Sequence, residues 1–254
     1  MKPTFYWAHS SPENKAGSES RVGWQPLSEH LETVSRIAAD LATATRPEDM
    51  KLITLSRLAG LFHDFGKYSD RFQRMLETGT GTCQHSIHGA MLAYFGSGTG
   101  NGKAALNTIM ASIAGHHAGL ADWSDYGQKL SNSQFKAEME SLIPVAAGDS
   151  SVLAEQLANL GRDNDYVPQA GLRARYDLFI RMLFSCLVDA DRLDSAGRKP
   201  NAGGLCAGLR LQALLKHIGN LSKVSGNQVV RQMRTRILDD CLSAAAGSNS
   251  GSAR

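Results

Sequence analysis

The sequence predicts an all-α fold, a helical bundle with a metal site at the ends of its helices. Apolar residues recur at helical spacing along almost the whole chain, and no stretch alternates in the manner of a half-buried strand. With 254 residues, 42% of them hydrophobic, the chain can form one compact domain, or one domain with a tail, around a sizeable core. Histidines cluster at the predicted helix ends, and this clustering indicates the metal site.

The first half of the chain is predicted to contain a series of short and medium helices. The first begins near Pro26, which suits the first helical position, and ends before Pro47. Pro47 opens a second helix that reaches the HDFGK segment, where Gly66 offers a place to stop. A short helix follows at about 69–77. The Gly/Thr-rich link TGTGTC then leads to a helix that starts near His85.

The second half is predicted to be helical as well. The residues His116 and His117 directly follow the end of one of its helices, and two weaker helical stretches come after the segment ADWSDYG. A long helix carries Asp189 and Asp191, and the Gly-rich piece AGRKPNAGGLCAG connects it to two later helices. The clearer helices are predicted at about 103–114, 171–193, 209–218 and 228–246.

Composition excludes a membrane or secreted protein. No apolar run approaches the roughly 18 residues of a membrane helix, and the N-terminal MKPTFYWAHS lacks the apolar stretch of a secretion signal. We therefore expect a cytoplasmic monomer without a membrane partner. No CxxC pair is present, so we expect reduced, mostly buried thiols rather than a thiolate zinc site or disulfides. The cysteines are Cys83, Cys186, Cys206 and Cys241.

Charge is distributed unevenly along the chain. Residues 1–160 hold 13 Lys/Arg and 16 Asp/Glu, whereas residues 161–254 hold 14 and 8. This excess weakly favours phosphate-backbone binding by the C-terminal part, and a solvated helical surface is the alternative. The aromatic residues Trp123 and Tyr126 are candidates for stacking on bases, with ordinary packing as the alternative.

Three pairs of side chains at the predicted helix ends carry the chemistry. They are His63–Asp64, His85–His88 and His116–His117. Imidazole and carboxylate both bind divalent transition metals, and a carboxylate can bridge two ions with its two oxygens. We interpret His88 as a hydrogen-bond partner rather than a ligand, and we assign no role to the isolated His9 and His217.

These motifs resemble the HD superfamily of metal-dependent phosphohydrolases, and more closely the HD nuclease domain of the CRISPR-associated type I helicase-nuclease. The segments that carry the resemblance follow the family's order over nearly the whole chain: FYWAHS, WQPLSEHLETV, LAGLFHDFGKYSDRFQ, QHSIHGAMLAY, IAGHHAGL and LVDADRLDS. The resemblance implies an HD-domain helical bundle and a nuclease that cuts single-stranded DNA by metal-assisted hydrolysis, without a protein nucleophile. It also implies an RNA-guided CRISPR surveillance complex as a partner.

The resemblance further implies a set of metal ligands. They are His30, His63, Asp64, His85, His116, His117 and Asp191, with Asp189 and Asp194 as alternatives to Asp191. By resemblance, Asp64 would bridge two ions, one held with His30, His63 and Asp191 and the other with His85, His116 and His117. One or two ions are expected, and the many histidines favour Mn, Fe, Co or Ni over Mg.

Asp64 and Lys67 are the predicted catalytic residues. The Lys67 cation would stabilise or orient the scissile phosphate, and the alternative is a surface lysine favoured by the helix dipole. Ser195, four residues after Asp191, can share its helical face toward the site.

In fused members of the family, a helix similar to VVRQMRTRILDDCLSAA leads into a helicase. We therefore predict a nuclease domain at 1–225, and at 226–254 a C-terminal helix and linker. A helicase partner is expected in cis or in trans, and we favour a piece of a longer helicase-nuclease over a stand-alone subunit. Two alternative functions stay open, an HD phosphohydrolase acting on nucleotides (a dNTPase or cyclic-nucleotide phosphodiesterase) and a non-catalytic docking module.

Overall fold

The computed structural model describes residues 5–96, 102–160, 173–198, 207–224 and 228–248. Two compact units, 1–200 and 201–254, divide the chain. Most of the described residues are helical, as predicted for an all-α protein. The predicted division after residue 225 concerns function and stays a prediction.

The first unit contains nine α-helices and one 3-10 helix in its described residues. They are α1 Leu27–Thr45, α2 Met50–Phe62, the 3-10 helix Phe65–Tyr68, α3 Asp70–Thr78, α4 Ser86–Phe95, α5 Gly102–Gly115, α6 Trp123–Leu130, α7 Ser133–Asp149, α8 Ser151–Asn159 and α9 Arg173–Ser195. The second unit contains α10 Ala207–Val224 and α11 Gln228–Ser248. No described helix combines the length and the apolar character needed to cross a bilayer.

A small antiparallel hairpin precedes α1, and the sequence did not predict it. Its strands are β1 Trp7–His9 and β2 Gln25–Pro26, which pair across a bulge. Strands of three and two residues are too short for an alternating pattern to be visible. The backbone N–H of Leu27 donates to Tyr6 O at 2.8 Å, so the hairpin is bonded to the start of α1.

Three predicted helix boundaries differ from the structure. Pro26 is the residue before α1 rather than its first helical residue. Pro47 does not open α2, because Asp49 caps that helix by accepting a hydrogen bond from Leu52 N–H at 3.0 Å. Gly66 does not end α2, which stops at Phe62.

Gly66 serves a close contact between the 3-10 helix and α4. A Cβ at this position would lie 2.2 Å from His85 O and 2.6 Å from the Nδ1 of His88. Glycine is therefore required here because the two backbones approach closely, and not because a helix ends at this residue. The short helix after it was predicted correctly, since Ser69 caps α3 by accepting from Phe72 N–H.

The core of the first unit lies between α1, α2, α4, α5 and α9. Leu27, Leu31 and Val34 face it from α1 and are fully buried. Burying one such side chain contributes roughly 1.5–3 kcal/mol. The helices α1 and α2 approach closely at Gly60, where a Cβ would lie 2.6 Å from the Cα of Ser35. This close packing fixes the end of α2, which carries the first predicted site residues.

The expectation of mostly buried thiols was wrong for the described cysteines. Cys186 is buried, but Cys83 is only partly buried and Cys241 is exposed. Cys241 is exposed because it lies on α11, whose neighbouring described side chains are also mostly exposed. The fourth residue, Cys206, and most of the Gly-rich connection around it lie outside the described residues.

Candidate metal centre

Asp64 is the central residue of the site. It lies between the end of α2 and the 3-10 helix, and its side chain is only 1% exposed. Four imidazole Nε2 atoms surround its carboxylate. The distances are 3.3 Å from His30 and 3.3 Å from His63 to Oδ2, and 3.2 Å from His85 and 3.4 Å from His116 to Oδ1. Each oxygen of Asp64 therefore faces two imidazole rings.

The first group of donors lies on the Oδ2 side of Asp64. His30 Nε2 and His63 Nε2 are 3.2 Å apart, and Oδ1 of Asp191 lies 3.7 Å from each of them. These residues come from α1, from the end of α2 and from α9. Their donor atoms are close enough together to hold one ion.

The second group lies on the Oδ1 side. His85 directly precedes α4, and its Nε2 is 2.9 Å from Nε2 of His117, which follows α5 together with His116. With Asp64, these donors form another set that could hold an ion. The structure thus brings all seven predicted ligands to one place, although their role as ligands stays a prediction.

The hydrogen bond made by Nδ1 determines the tautomer of two of these imidazole rings. His63 Nδ1 donates to Gly60 O at 2.8 Å, and His116 Nδ1 donates to Ile113 O at 2.6 Å. A ring nitrogen that faces a carbonyl oxygen must carry the proton, so in a neutral ring the lone pair is on Nε2. When these rings are neutral, their Nε2 lone pairs are directed at Asp64, the arrangement of metal-binding histidines.

The three aspartates of the LVDADRLDS segment occupy different environments. Asp191 faces the centre, whereas Asp189 is exposed and takes part in none of the metal-binding groups of the described residues. Asp194 lies behind His30, with its Oδ2 2.6 Å from Nδ1 of His30, and it accepts a hydrogen bond from Gln25 Nε2 at 2.8 Å. Asp194 therefore orients His30 and takes part in none of the metal-binding groups of the described residues.

The charges of the centre are strongly coupled. Burial by itself would raise the pKa of Asp64, but His63 and Lys67 hold it well below its usual range. Burial opposes a proton on His63, yet the charges of Asp64 and Asp191 raise the pKa of His63 to about 10. Burial and the neighbouring His116 lower the pKa of His117 to about 4. The carboxylates are thus ionised, and the groups around them differ in protonation.

The residues present fit a divalent metal ion. Oδ1 of Asp64 and Nε2 of His116 are buried, and within the described part of the chain neither atom has a hydrogen bond of ordinary geometry, whereas Oδ2 of Asp64 contacts the Lys67 ammonium. Leaving buried polar atoms unsatisfied costs free energy, so such atoms ordinarily have a partner. A cation held by carboxylate oxygen and imidazole nitrogen would satisfy both of them.

Lys67 is buried, so the alternative of a surface lysine was wrong, and its catalytic role stays a prediction. Its side chain is about 4% exposed, and Nζ lies 2.6 Å from Oδ2 of Asp64. The ammonium also donates to Ala8 O at 3.1 Å. Two elements contribute to this burial. The 3-10 helix bonds the backbone of Lys67 to Asp64, and strand β1 supplies the carbonyl oxygen of Ala8.

Sequence reasoning missed His9. Its Nε2 lies 3.4 Å from Lys67 Nζ and 3.4 Å from Ser195 Oγ, and its ring packs edge-on against His30 at 4.7 Å. Burial and the nearby Lys67 cation lower the pKa of His9 to about 3, so the ring is neutral. The only signal in the sequence was its place in FYWAHS. Ser195 is near the centre as expected, since its hydroxyl donates to Asp191 Oδ1 at 3.4 Å.

The other singled-out histidines lie away from the metal-binding groups. His88 is buried with its Nε2 3.1 Å from Oε2 of Glu138 on α7, and it takes part in none of the metal-binding groups of the described residues. Its interpretation as a hydrogen-bond partner of the ligands stays a prediction. His217 is an exposed residue of α10 in the second unit.

A partly open pocket of about 240 Å³ adjoins the second group of donors. Its lining includes His85, His117 and the exposed Lys129 of α6. Trp123, also on α6, is about half exposed. Tyr126, in contrast, is buried, with its hydroxyl accepting from Ala121 N–H at 2.9 Å, so it is a packing residue and not a candidate for base stacking.

Comparison with known proteins identifies an HD domain at residues 27–146. HD domains are metal-dependent hydrolases. The matched span runs from α1 into α7 and contains six of the seven predicted ligands, and the seventh, Asp191, lies beyond it. No curated protein matches the chain.

Proposed function

We propose that the HD domain at residues 27–146 makes this chain a metal-dependent nuclease, which hydrolyses phosphodiester bonds of single-stranded DNA in type I CRISPR interference. The HD domain itself indicates a metal-dependent phosphohydrolase. One observation carries the finer assignment. The segments FYWAHS and LVDADRLDS lie outside the matched span, yet His9 and Asp191 from these segments lie beside Asp64. The centre is therefore built from the full ordered set of motifs, and this set resembles the CRISPR branch.

The donor groups indicate how the chain would hold its ions. Asp64 would contribute one oxygen to each side, His30, His63 and Asp191 would complete one side, and His85, His116 and His117 the other. Divalent ions at such a site supply Lewis-acid activation of water and of the phosphoryl group. The imidazole-rich donor set favours Mn, Fe, Co or Ni over Mg.

The protein side chains would supply charge and position. Lys67 places a buried positive charge 2.6 Å from Asp64, next to where phosphoryl oxygens would gain negative charge. Its burial strengthens this electrostatic effect, because little water is present to screen it. Asp194 would keep His30 in its orientation, and the backbone oxygens of Gly60 and Ile113 would do the same for His63 and His116.

The pocket beside His85 and His117 favours a polymer substrate. It is partly open rather than closed, and its 240 Å³ is smaller than the usual enclosed site for a small molecule. Lys129 forms no ion pair within the described residues, so its charge is available to a phosphate. A DNA strand crossing the open pocket would place a neighbouring phosphate near Lys129.

The proposal includes the cellular partners that the resemblance implies. They are an RNA-guided surveillance complex that presents the single strand, and a helicase in cis or in trans. We propose that the chain acts in the cytoplasm and as a monomer.

The decisive experiment uses the full chain after removal of metals by a chelator. It is incubated with circular single-stranded DNA, or with a panel of dNTPs and cyclic nucleotides, in the presence of Mn²⁺, Fe²⁺, Co²⁺, Ni²⁺ or Mg²⁺. Asp64→Ala is tested in parallel, and Asp189→Ala is the control because Asp189 is an exposed aspartate outside the centre.

We expect the circle to be cut without ATP, and the activity to disappear in Asp64→Ala but not in Asp189→Ala. Hydrolysis of nucleotides with intact DNA would instead establish a nucleotide phosphohydrolase. If neither the DNA nor the nucleotides are hydrolysed with any of the ions, an enzymatic function is contradicted and the docking module is favoured.

A further inference from the structure

We propose that His9 is a positioning residue for Lys67, and that its Nε2 holds the one N–H of the Lys67 ammonium that a phosphate oxygen takes over when DNA binds. This inference rests on the proposed function and extends it to a residue of the N-terminal hairpin. It concerns a contact that neither the HD domain match nor the metal-binding groups require.

The surroundings of Lys67 account for all three of its donors. An ammonium has three N–H groups and no acceptor. Its Nζ lies 2.6 Å from Oδ2 of Asp64, 3.1 Å from Ala8 O and 3.4 Å from Nε2 of His9. The contact to His9 is the longest of the three, and it is therefore the easiest to exchange.

Strand β1 supplies two of these three acceptors, Ala8 O and His9 Nε2. The strand is held in place by Gln73 of α3, which accepts from Trp7 N–H at 3.0 Å and donates to Trp7 O at 3.0 Å. Gln73 Nε2 also donates to the backbone oxygen of Lys67 at 2.7 Å. One buried amide thus fixes both the strand and the backbone of the lysine.

The chemistry of the contact fixes the role of His9. Because Lys67 can only donate, Nε2 of His9 must be the acceptor, and the proton of the neutral ring lies on Nδ1. The same Nε2 is 3.4 Å from the Ser195 hydroxyl, and the ring is held edge-on against His30 at 4.7 Å. His9 is partly exposed and Ser195 is exposed, so this part of the centre can be reached from solvent.

A phosphate oxygen arriving from this side is a stronger acceptor for an ammonium than an imidazole nitrogen, since the hydrogen bond is then charge-assisted at both ends. Lys67 would turn its third N–H to the phosphate while Asp64 and Ala8 O keep the other two. His9 therefore keeps the ammonium in place before DNA binds, which avoids reorganisation when the substrate arrives.

A competing role for His9 is that of a metal ligand, because donor atoms of His9, His30 and Asp64 lie within 4.8 Å of one another. The Lys67 ammonium opposes this role, since it faces Nε2 of His9 at 3.4 Å. A neutral imidazole has one lone pair, and the lone pair that accepts from Lys67 is not available to a metal ion. The geometry therefore favours positioning over ligation.

The first test needs no activity. The full chain is labelled with ¹⁵N-histidine and kept metal-free, and the ring nitrogens of His9 are assigned by comparison with His9→Gln. We expect a proton on Nδ1 and a hydrogen-bonded lone pair on Nε2, and we expect Lys67→Met to change the Nε2 resonance. A proton on Nε2, or a spectrum unaffected by Lys67→Met, would overturn the proposal.

The second test uses the metal-loaded chain and single-stranded DNA. His9→Ala should lower kcat by about tenfold, the effect of losing roughly one hydrogen bond to a charged group, while the bound metal stays unchanged. His9→Gln should recover most of the rate, because its side-chain oxygen is also an acceptor. His217→Ala is the control, since His217 is an exposed histidine of the second unit.

Three results separate the explanations. Loss of metal in His9→Ala would make His9 a ligand and overturn the positioning role, and equal impairment in His9→Gln would overturn the acceptor role. If the wild type cuts no single-stranded DNA with any ion, the proposed function fails, whereas the NMR result still decides the contact between His9 and Lys67.

Discussion

At the scale of single residues, the direction in which each carboxylate points decides its role in the centre. Asp191 and Asp194 are three residues apart on α9, so they lie on neighbouring parts of one helical face. Oδ1 of Asp191 faces Nε2 of His30 and of His63, whereas Asp194 contacts the other nitrogen of His30, Nδ1. One helix thus supplies both a candidate ligand and the group that orients another ligand.

This difference predicts the effect of substitutions on metal binding. Asp191→Asn removes a charged donor from the first group and should lower metal affinity by at least about tenfold, the lower end of the effect seen for residues that only support ligands. Asp189→Asn, two positions away and exposed, should bind metal like the wild type. Metal titration by calorimetry checks both, and equal affinities for the two variants would remove Asp191 from the ligand set.

The protonation of His63 predicts a pH dependence of metal binding. Its pKa is raised from about 6.5 to about 10 in the metal-free centre, so between these values the ring is protonated in the folded protein. A metal ion must displace this proton, and affinity should therefore rise with pH up to about 10. Calorimetry at pH 8 in two buffers of different ionisation enthalpy should show about one proton released per ion on this side. Binding without proton release would contradict the assignment.

At the scale of elements, the centre depends on how closely the 3-10 helix approaches α4. Gly66 permits this approach, and His85 and His88 lie directly against it. The starts of the helices on either side of this segment are fixed locally, because the side chain of Asp49 caps α2 and the side chain of Ser69 caps α3. His63, Asp64 and Lys67 therefore lie in the short segment that connects two helices, each of which has its own N-terminal cap.

Gly66→Ala tests this approach. The added Cβ would overlap His85 O, which is backbone and cannot turn away, so we expect a loss of about 1–3 kcal/mol in the free energy of unfolding. His85 should be displaced as well, and metal affinity should fall with stability. Gly127→Ala is the control, because a Cβ at that helical position meets nothing within 4 Å. Urea unfolding curves that coincide for Gly66→Ala and wild type would refute the close contact.

Sequence information was sufficient for the helical fold and for naming the candidate ligands that the structure brings together, although their role as ligands stays a prediction. His63, Asp64 and Lys67 are close in sequence, so their proximity follows from local structure. His9 lies 58 residues from Lys67, and its three-residue strand has no period to detect, so no local pattern could place it at the centre. Burial of Lys67 was equally hidden, because it depends on a carbonyl oxygen supplied by that same strand.

At the scale of the whole molecule, the part of the sequence with an excess of basic residues is not the part that supplies most of the candidate ligands. The chain after residue 160 carries the excess of Lys and Arg, whereas six of the seven candidate ligands come from the part before it, which has more acidic residues. Single cations near the centre therefore matter more for a phosphate ligand than the net charge does.

Lys129 is such a cation, and its removal has a specific expected effect. Lys129→Glu should raise KM for single-stranded DNA by roughly threefold to tenfold, as expected for one lost phosphate contact at moderate salt, and leave kcat nearly unchanged. Lys136→Glu is the matched control, because Lys136 is on α7, contacts Glu140 and does not line the pocket. Equal KM values for the two variants would show that DNA does not pass the pocket beside His85 and His117.

The position of Asp64 between two groups of imidazoles has a consequence for folding. The rings and carboxylates that face it are separated widely along the chain, from His30 to Asp191, and they are carried by different helices. A partly folded chain cannot assemble such a set, so a divalent ion binds almost only to the native state. Ligand binding to the native state alone raises the temperature of unfolding as the ligand concentration increases. A bound ion would therefore also report on the integrity of the first unit, and it would be released in a single cooperative step when that unit unfolds.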